Sequence, residues 1–373
     1  MAGRFPLRAA STPPGAAPAG IARRCAAVVP VFDPFRRSSP VPSTSLDVLA
    51  IGNAIVDVLS RSEEDFLAAN GMAKGGMALI DEARAEAVYT AMGPGTEASG
   101  GSAANTAAGV ASLGGKAGFI GKVKADGLGT VFGHDIRAAG VAYATPAAQD
   151  GPATARCLIL VTPDGERTMN TYLGAAQNLV PADIDAALVE SAAVTYLEGY
   201  LWDPPPAKEA FLAAAVLAHG AGRKVALSLS DAFCVDRYRG EFIDLIREGT
   251  VDLVFCNEGE LKSLYETADF DAALVALRRD AKEAVVTRSE KGASFVTPGA
   301  VVSVPAHAVE RVVDTTGAGD LFAAGFLTGY TRGLDPATSL RLGALAAGEI
   351  IGQMGARPQR PLIDLAREAG LIS

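Results

Sequence analysis

The sequence predicts an α/β fold: a mainly parallel sheet with a small β-sheet set apart from it. Three observations carry this. Short apolar runs rich in β-branched and aliphatic residues recur along the chain, Ala- and Leu-rich stretches of helical length separate several of them, and one region breaks the alternation with a hairpin pattern. The first run, Leu46–Ile51, stops at Gly52-Asn53 and reads as a strand entering a loop. Lys116–Ile120, Ala193–Leu197, Lys224–Ser228, Asp252–Phe255 and Glu283–Thr287 have the same look, while Pro206–His219, Ala272–Asp280 and Ala337–Gln353 read as helices. Strands alternating with helices bury both faces of a parallel sheet, and such sheets seat ligands beyond the C-terminal ends of their strands. The hairpin pattern is Cys157–Val161 and Arg167–Thr171 around Pro163-Asp164-Gly165. With Met77–Ile80 it makes a second sheet, either a plain edge or a lid that keeps water from an open site.

Composition narrows the function classes. The 373 residues are 49% hydrophobic and 20% charged, enough to bury a sizeable core, and the net charge of -9 argues against a general nucleic-acid binder or a basic membrane-surface protein. A phosphate ligand stays open, because backbone N–H groups need no excess of lysine. Apolar runs fall short of the roughly 18 residues of a membrane span. The cysteines, at 25, 157, 234 and 256, stand alone, and with only His134, His219 and His307 beside them a zinc cluster is not expected. Isolated thiols suit a reducing compartment such as the cytoplasm. Residues 1–44 are rich in Pro, Ser, Ala and Arg and carry no acid before Asp33. They read as a disordered tail, as a mis-assigned start, or as an organelle transit peptide. The folded domain is expected over 45–373, with a discontinuous lid at about 71–81 and 143–175.

Four motifs can carry chemistry. In Asp314-Thr-Thr-Gly-Ala-Gly-Asp320 a turn of small residues leads into a helix with an apolar stripe at Phe322, Phe326 and Tyr330. Gly317 and Gly319 let the backbone approach a ligand, and the first N–H groups of a helix, beside the positive end of its dipole, make an anion site. Asp320 at the mouth of the turn can take a proton from an attacking hydroxyl, or can merely cap the helix. In Gly100-Gly101-Ser-Ala-Ala-Asn105 a glycine pair again precedes a helix; it can admit a polyhydroxy ligand, with Asn105 as donor and acceptor, or only pack tightly. Asn257-Glu-Gly-Glu260 has the spacing of a capping box, and a Glu near phosphates can also hold Mg2+ through water. Gly52-Asn53-Ala-Ile-Val-Asp57 offers a carboxylate for two vicinal hydroxyls, or an exposed loop acid. The sequence lacks the P-loop and nucleophile-elbow motifs, and Gly127-Leu-Gly129-Thr-Val-Phe-Gly133 is one residue too long for a dinucleotide fingerprint.

Gly100-Gly101-Ser-Ala-Ala-Asn105 together with Asp314-Thr-Thr-Gly-Ala-Gly-Asp320 resembles the two signatures of the ribokinase-like, or PfkB, carbohydrate and nucleoside kinases, in the right order and over essentially residues 45–373. The resemblance implies a ribokinase-like Rossmann-type core with a β-sheet lid, and phosphorylation of a hydroxymethyl group with ATP and Mg2+. K+ enters as well, because Asp314–Thr316 lies where some members bind it. The resemblance makes Asp320 the catalytic base and the N–H groups of Gly317, Ala318 and Gly319 the anion hole. Asn257, Thr287, Gly317 and Gly319 would contact ATP, with Glu260 reaching the metal through water. Asn53, Asp57, Gly100, Gly101 and Asn105 would hold the sugar hydroxyls. Gly52-Asn53-x-x-x-Asp57 and Glu198-Gly199-Tyr200-Leu-Trp202 resemble the nucleoside branch, in which Tyr200 aligns with an aromatic that stacks on a purine, although Tyr200 and Trp202 also suit core packing. Adenosine, phosphorylated at its 5′-hydroxyl, is then the expected acceptor; the alternative is a sugar such as ribose, fructose or 2-keto-3-deoxygluconate. Arg288, directly after Thr287, departs from many sugar kinases. The implied partners are small molecules and ATP, not nucleic acid or membrane, and the lid sheet can serve a monomer or clasp a second lid in a homodimer.

Overall fold

The computed structural model describes residues 45–373; the leader at 1–44 lies outside the described residues. The strands in chain order are β1 (Leu46–Ile51), β2 (Ile55–Arg61), β3 (Met77–Leu79), β4 (Gly95–Gly100), β5 (Ala117–Ile120), β6 (Val141–Tyr143), β7 (Ala155–Val161), β8 (Arg167–Tyr172), β9 (Ala192–Glu198), β10 (Lys224–Ser228), β11 (Leu253–Asn257), β12 (Glu283–Thr287), β13 (Ala293–Val296) and β14 (Val301–Val304). Nine of them form one sheet in the order β14-β13-β12-β11-β10-β9-β1-β5-β6. From β12 to β6 every pairing is parallel, and β13 and β14 extend the edge antiparallel. The order reverses beside β1, whose neighbours are β9 and β5. A parallel sheet opens a crevice beyond its strand ends at such a reversal.

The parallel strands were legible because they are buried on both faces. Val48, Leu49, Ala50 and Ile51 are fully inaccessible, as are Val225, Ala226 and Leu227. An aromatic column ties the sheet to the Ala318–Thr331 helix. Tyr196 meets Phe255 edge-on at 5.7 Å, Phe255 meets Phe326 at 5.7 Å, and Phe326 stacks on Phe295 and Tyr330. Each such pair contributes roughly 0.5–1.5 kcal/mol beyond burial. The predicted apolar stripe of that helix is the face buried in this column.

The second sheet is five-stranded, in the order β3-β8-β7-β2-β4. The hairpin of β7 and β8 pairs antiparallel, with Cys157 opposite Thr171 and Val161 opposite Arg167, and β3 joins it. Two further strands, β2 and β4, escape the sequence reading, which treats Gly52–Asp57 as a loop. The period-two signal in β2 is real: Val56, Val58 and Ser60 are buried while Ile55, Asp57 and Leu59 are half-exposed on the other face. In β4, Gly-Thr-Glu-Ala-Ser-Gly has no apolar alternation, and pairing with β2 makes it a strand.

Helix Ala318–Thr331 crosses helix Pro336–Ile351 at very close range: a Cβ on Gly325 would lie 2.4 Å from the Leu342 carbonyl oxygen. The obstacle is backbone and cannot swing away. Gly325→Val should therefore cost at least the roughly 1–3 kcal/mol typical of overpacking, read as a lower denaturant midpoint. An unchanged midpoint would show that the two helices can part.

Candidate active site

A cavity of about 420 Å³ lies between the two sheets, within the usual range for a small-molecule site. Its floor is formed by the C-terminal ends of the parallel strands. Ser228, Asn257 and Thr287 are the last residues of β10, β11 and β12, and all three line it. Asp57, Cys157, Ile159, Met169 and Thr171 face it from the second sheet.

Two helices begin at this cavity. Gly317 adopts a left-handed conformation (φ 78°) as the N-cap of Ala318–Thr331, and Gly101, with φ 94°, precedes Ser102–Ser112. Asp320 joins them. Its Oδ1 accepts a 2.6 Å hydrogen bond from the Ser102 hydroxyl, and its Oδ2 accepts one of 3.0 Å from the Asn105 amide. Neither oxygen caps its own helix, and the half-buried carboxylate faces the cavity. Burial raises its pKa, while these two hydrogen bonds and the Arg357 cation lower it. Of the amides expected in the anion hole, that of Ala318 donates within the turn, 3.2 Å to the Thr315 carbonyl. The turn is itself braced: Asp314 accepts from the N–H of Thr316 (3.0 Å) and of Gly355 (2.9 Å) and pairs with Arg167 at 2.6 Å. Arg167 Nε and Nη2 are buried with no partner, so two donors stand unspent beside the Asp314–Gly317 turn.

On the acceptor side, the Asp57 carboxyl is pushed up to about 6 by burial, with Arg357 and Arg167 opposing and Asp320 adding to the rise. Gly100 makes room for it, since a Cβ there would fall 2.4 Å from the carboxyl carbon. Asn105 is 5% exposed and its Oδ1 has no partner. Gly101 and Tyr200 line the cavity too, Tyr200 being 38% exposed with its hydroxyl on the Ser230 carbonyl.

Two residues expected to hold the acceptor stand apart from the cavity lining. Neither Asn53 nor Gly100 lines the cavity. Asn53 is buried behind the wall, where its side-chain amide donates to Glu198 at 2.6 Å; the other Glu198 oxygen accepts the Ala103 N–H at 2.9 Å. Gly100 acts only by leaving space for Asp57. Trp202 takes the core reading: it is 4% exposed, packs on Phe211 and Phe242, and donates to Glu241. On the nucleotide side the capping box is formed. Asn257 Oδ1 accepts the Glu260 N–H (2.9 Å) and Glu260 accepts the Asn257 N–H (3.0 Å). Glu260 still lines the cavity, its carboxyl raised to about 7 by burial. Arg288 turns away, donating to Glu258 and lying 3.6 Å over the Phe270 ring.

Sequence reasoning missed Ser102, Arg167, Glu198, Arg357 and the apolar second-sheet wall. A buried arginine announces itself only through partners distant in the chain.

Comparison with known proteins gives the family. The profile of the "pfkB family carbohydrate kinase" matches residues 77–362, and the chain belongs to that family of phosphotransferases with an alcohol acceptor, which use ATP. It is 57% identical to a solved structure described as adenosine kinase from Sinorhizobium meliloti (TM-score 0.81, covering 87% of this chain and 99% of that one). It is 56% identical to one described as a probable sugar kinase from Rhizobium etli CFN 42 (TM-score 0.82, 88% and 100%). It is also 27% identical over 330 residues to the adenosine kinase of Saccharomyces cerevisiae, covering 83% of this chain and 95% of that protein.

The buried carboxyls give the fold a pH signature. The pKa values of Glu198 and Glu260 are raised to about 7 and that of Asp57 to about 6, all chiefly by burial. The native state thus holds protons that the unfolded state has released, and stability falls as pH rises from about 4 to 7. Asp164, Asp280 and Glu258, whose pKa values are lowered, act in the opposite sense and below that window. Glu198→Gln should flatten the decline between pH 5 and 7 in a series of urea titrations. A slope identical to the wild type would remove Glu198 from this account.

Proposed function

We propose that the chain transfers the γ-phosphoryl group of ATP to the 5′-hydroxyl of adenosine. The observation that carries this reading is the Asp320 carboxylate, suspended between two helix starts and open to the cavity. A primary hydroxyl beside it gives its proton to the carboxylate as its oxygen bonds to the γ-phosphorus and the bond from that phosphorus to the bridging oxygen breaks, releasing ADP, while the charge on the transferring group is met by the helix-start amides. Asp57 and the unpaired Asn105 oxygen suit the vicinal hydroxyls of a ribose. Tyr200, Ile159 and Met169, which all line the cavity, supply apolar surface that suits a flat base. The second sheet acts as the lid that excludes water.

The residues present fit Mg2+ brought in with the phosphates. Among the described residues no cluster of three or more His, Cys, Asp or Glu side chains makes a metal cage, and Mg2+ takes few protein ligands and keeps its waters. Glu260 would hold one such water, with Asn257 and Thr287 beside the phosphates; the bound ion would supply charge neutralisation. A K+ ion at Asp314 would have to share a carboxylate that Arg167 already occupies.

Two measurements test this. Asp320→Asn should retain nucleoside binding and lower kcat by about 10²–10⁴-fold; unchanged turnover would exclude Asp320 as the base. In an ATP-consumption screen of nucleosides and sugars, adenosine should give the highest kcat/KM, and Tyr200→Ala should raise its KM at least tenfold. Turnover of fructose or ribose without turnover of adenosine would make the chain a sugar kinase, and a KM for adenosine indifferent to Tyr200 would remove that ring from the base site.

A further inference from the structure

The loop that follows helix Pro336–Ile351 touches both halves of the site. Its Gly355 N–H donates to Asp314, below the phosphate turn, and its Ala356 backs onto Gly317, where an added Cβ would meet the Ala356 Cβ at 2.7 Å. One residue further on, Arg357 reaches under the acceptor turn. Nε and Nη2 donate to the Ser99 carbonyl (3.2 and 2.7 Å), Nη2 also to the Ser99 hydroxyl (3.0 Å), and Nη1 to the Ala104 carbonyl (3.1 Å). Ser99 precedes the Gly100-Gly101 turn, and Ala104 lies between Ser102 and Asn105, the two residues that hold Asp320. Every one of these acceptors is neutral. The guanidinium charge is therefore fixed in place without being cancelled by contact, and its field is felt by Asp57, Asp135 and Asp320.

We propose that Arg357 is a positioning residue for the phosphoryl transfer: its fixed cation beneath the acceptor turn balances the negative charge of Asp57 and Asp320, and its loop holds that turn in register with the phosphate turn. The role rests on the kinase reading above. Two carboxylates sharing one half-buried cavity oppose each other's ionisation, and a base is useful only when ionised. Arg167, on β8, also faces Asp57, but it is paired directly with Asp314. Glu198, Tyr196 and Tyr200, on or just after β9, interact with Asp320 and supply no positive charge. Asp135, on the Gly127–Ala138 helix, accepts from the Ser99 N–H (2.7 Å) and hydroxyl (2.6 Å), so it steadies the same strand end while drawing on the Arg357 field.

The test is the pH profile of kcat/KM for the best acceptor found in the screen. Arg357→Gln keeps donors for Ser99 and removes the charge. It should move the acid limb up by about one pH unit and lower kcat at neutral pH more than it raises KM, while Arg357→Lys returns the limb to the wild-type position. Asp135→Asn provides a second measurement should Arg357→Gln fail to fold: it removes a competing carboxylate and should move the limb down. A limb unmoved in Arg357→Gln, or moved up in Asp135→Asn, overturns the proposal even if melting temperatures fall, because a merely structural arginine would not set the titration of the base. A wild-type protein that phosphorylates nothing in the screen defeats the kinase reading itself, a result distinct from either of these.

Discussion

The site depends on one pinned carboxylate. Asp320 is carried by one helix and gripped by the first turn of another, through Ser102 and Asn105. Without that grip the Ala318–Thr331 helix would still pack, because Phe326 keeps its stacking on Phe295 and Tyr330 away from the cavity. The phosphate turn and the acceptor turn, however, would lose their common reference point. Catalysis of phosphoryl transfer is mostly placement and charge stabilisation, so a geometry fixed before substrate arrives supplies much of what the reaction needs.

Around that carboxylate the chain assembles an unusual density of ionisable groups. Asp57, Glu198, Glu260 and Asp320 are all pushed toward their neutral forms by burial. Such groups are tolerated because each has specific partners: Glu198 closes off the start of a helix, Glu260 completes a reciprocal cap, and Asp57 occupies space that Gly100 vacates. Arg167 pairs with Asp314 and Arg357 donates to the Ser99 and Ala104 carbonyls, and both cations oppose the rise at Asp57.

The core sheet was readable in the sequence because a parallel strand buried on both faces is a continuous apolar run, as Leu46–Ile51 and Lys224–Ser228 are. The helix-start turns were readable because glycines directly before small-residue helices recur in two motifs, which together, rather than singly, pointed to a ligand site. β4 was not, since Gly-Thr-Glu-Ala-Ser-Gly becomes a strand only by pairing with β2. Asn53 illustrates a different limit. Its type suits a sugar contact, but its partner Glu198 lies 145 residues away and only the fold brings them together. Arg167 and Arg357 were invisible for the same reason. Conversely, the capping-box and Mg2+ readings of Asn257 and Glu260 were never exclusive: the cap holds Glu260 at the cavity edge, where a hydrated ion could find it.

The short link Gly52–Ala54 joins the first strand of the large sheet to the second sheet, and Glu198 clamps it through both the backbone and the side chain of Asn53. A clamped link makes a pivot rather than a slack tether. If the smaller sheet rocks, the Asp57 end travels least and the distant rim at β3 travels furthest. A substrate would then find its widest passage at the rim, and the least displaced side chains would be those nearest the link.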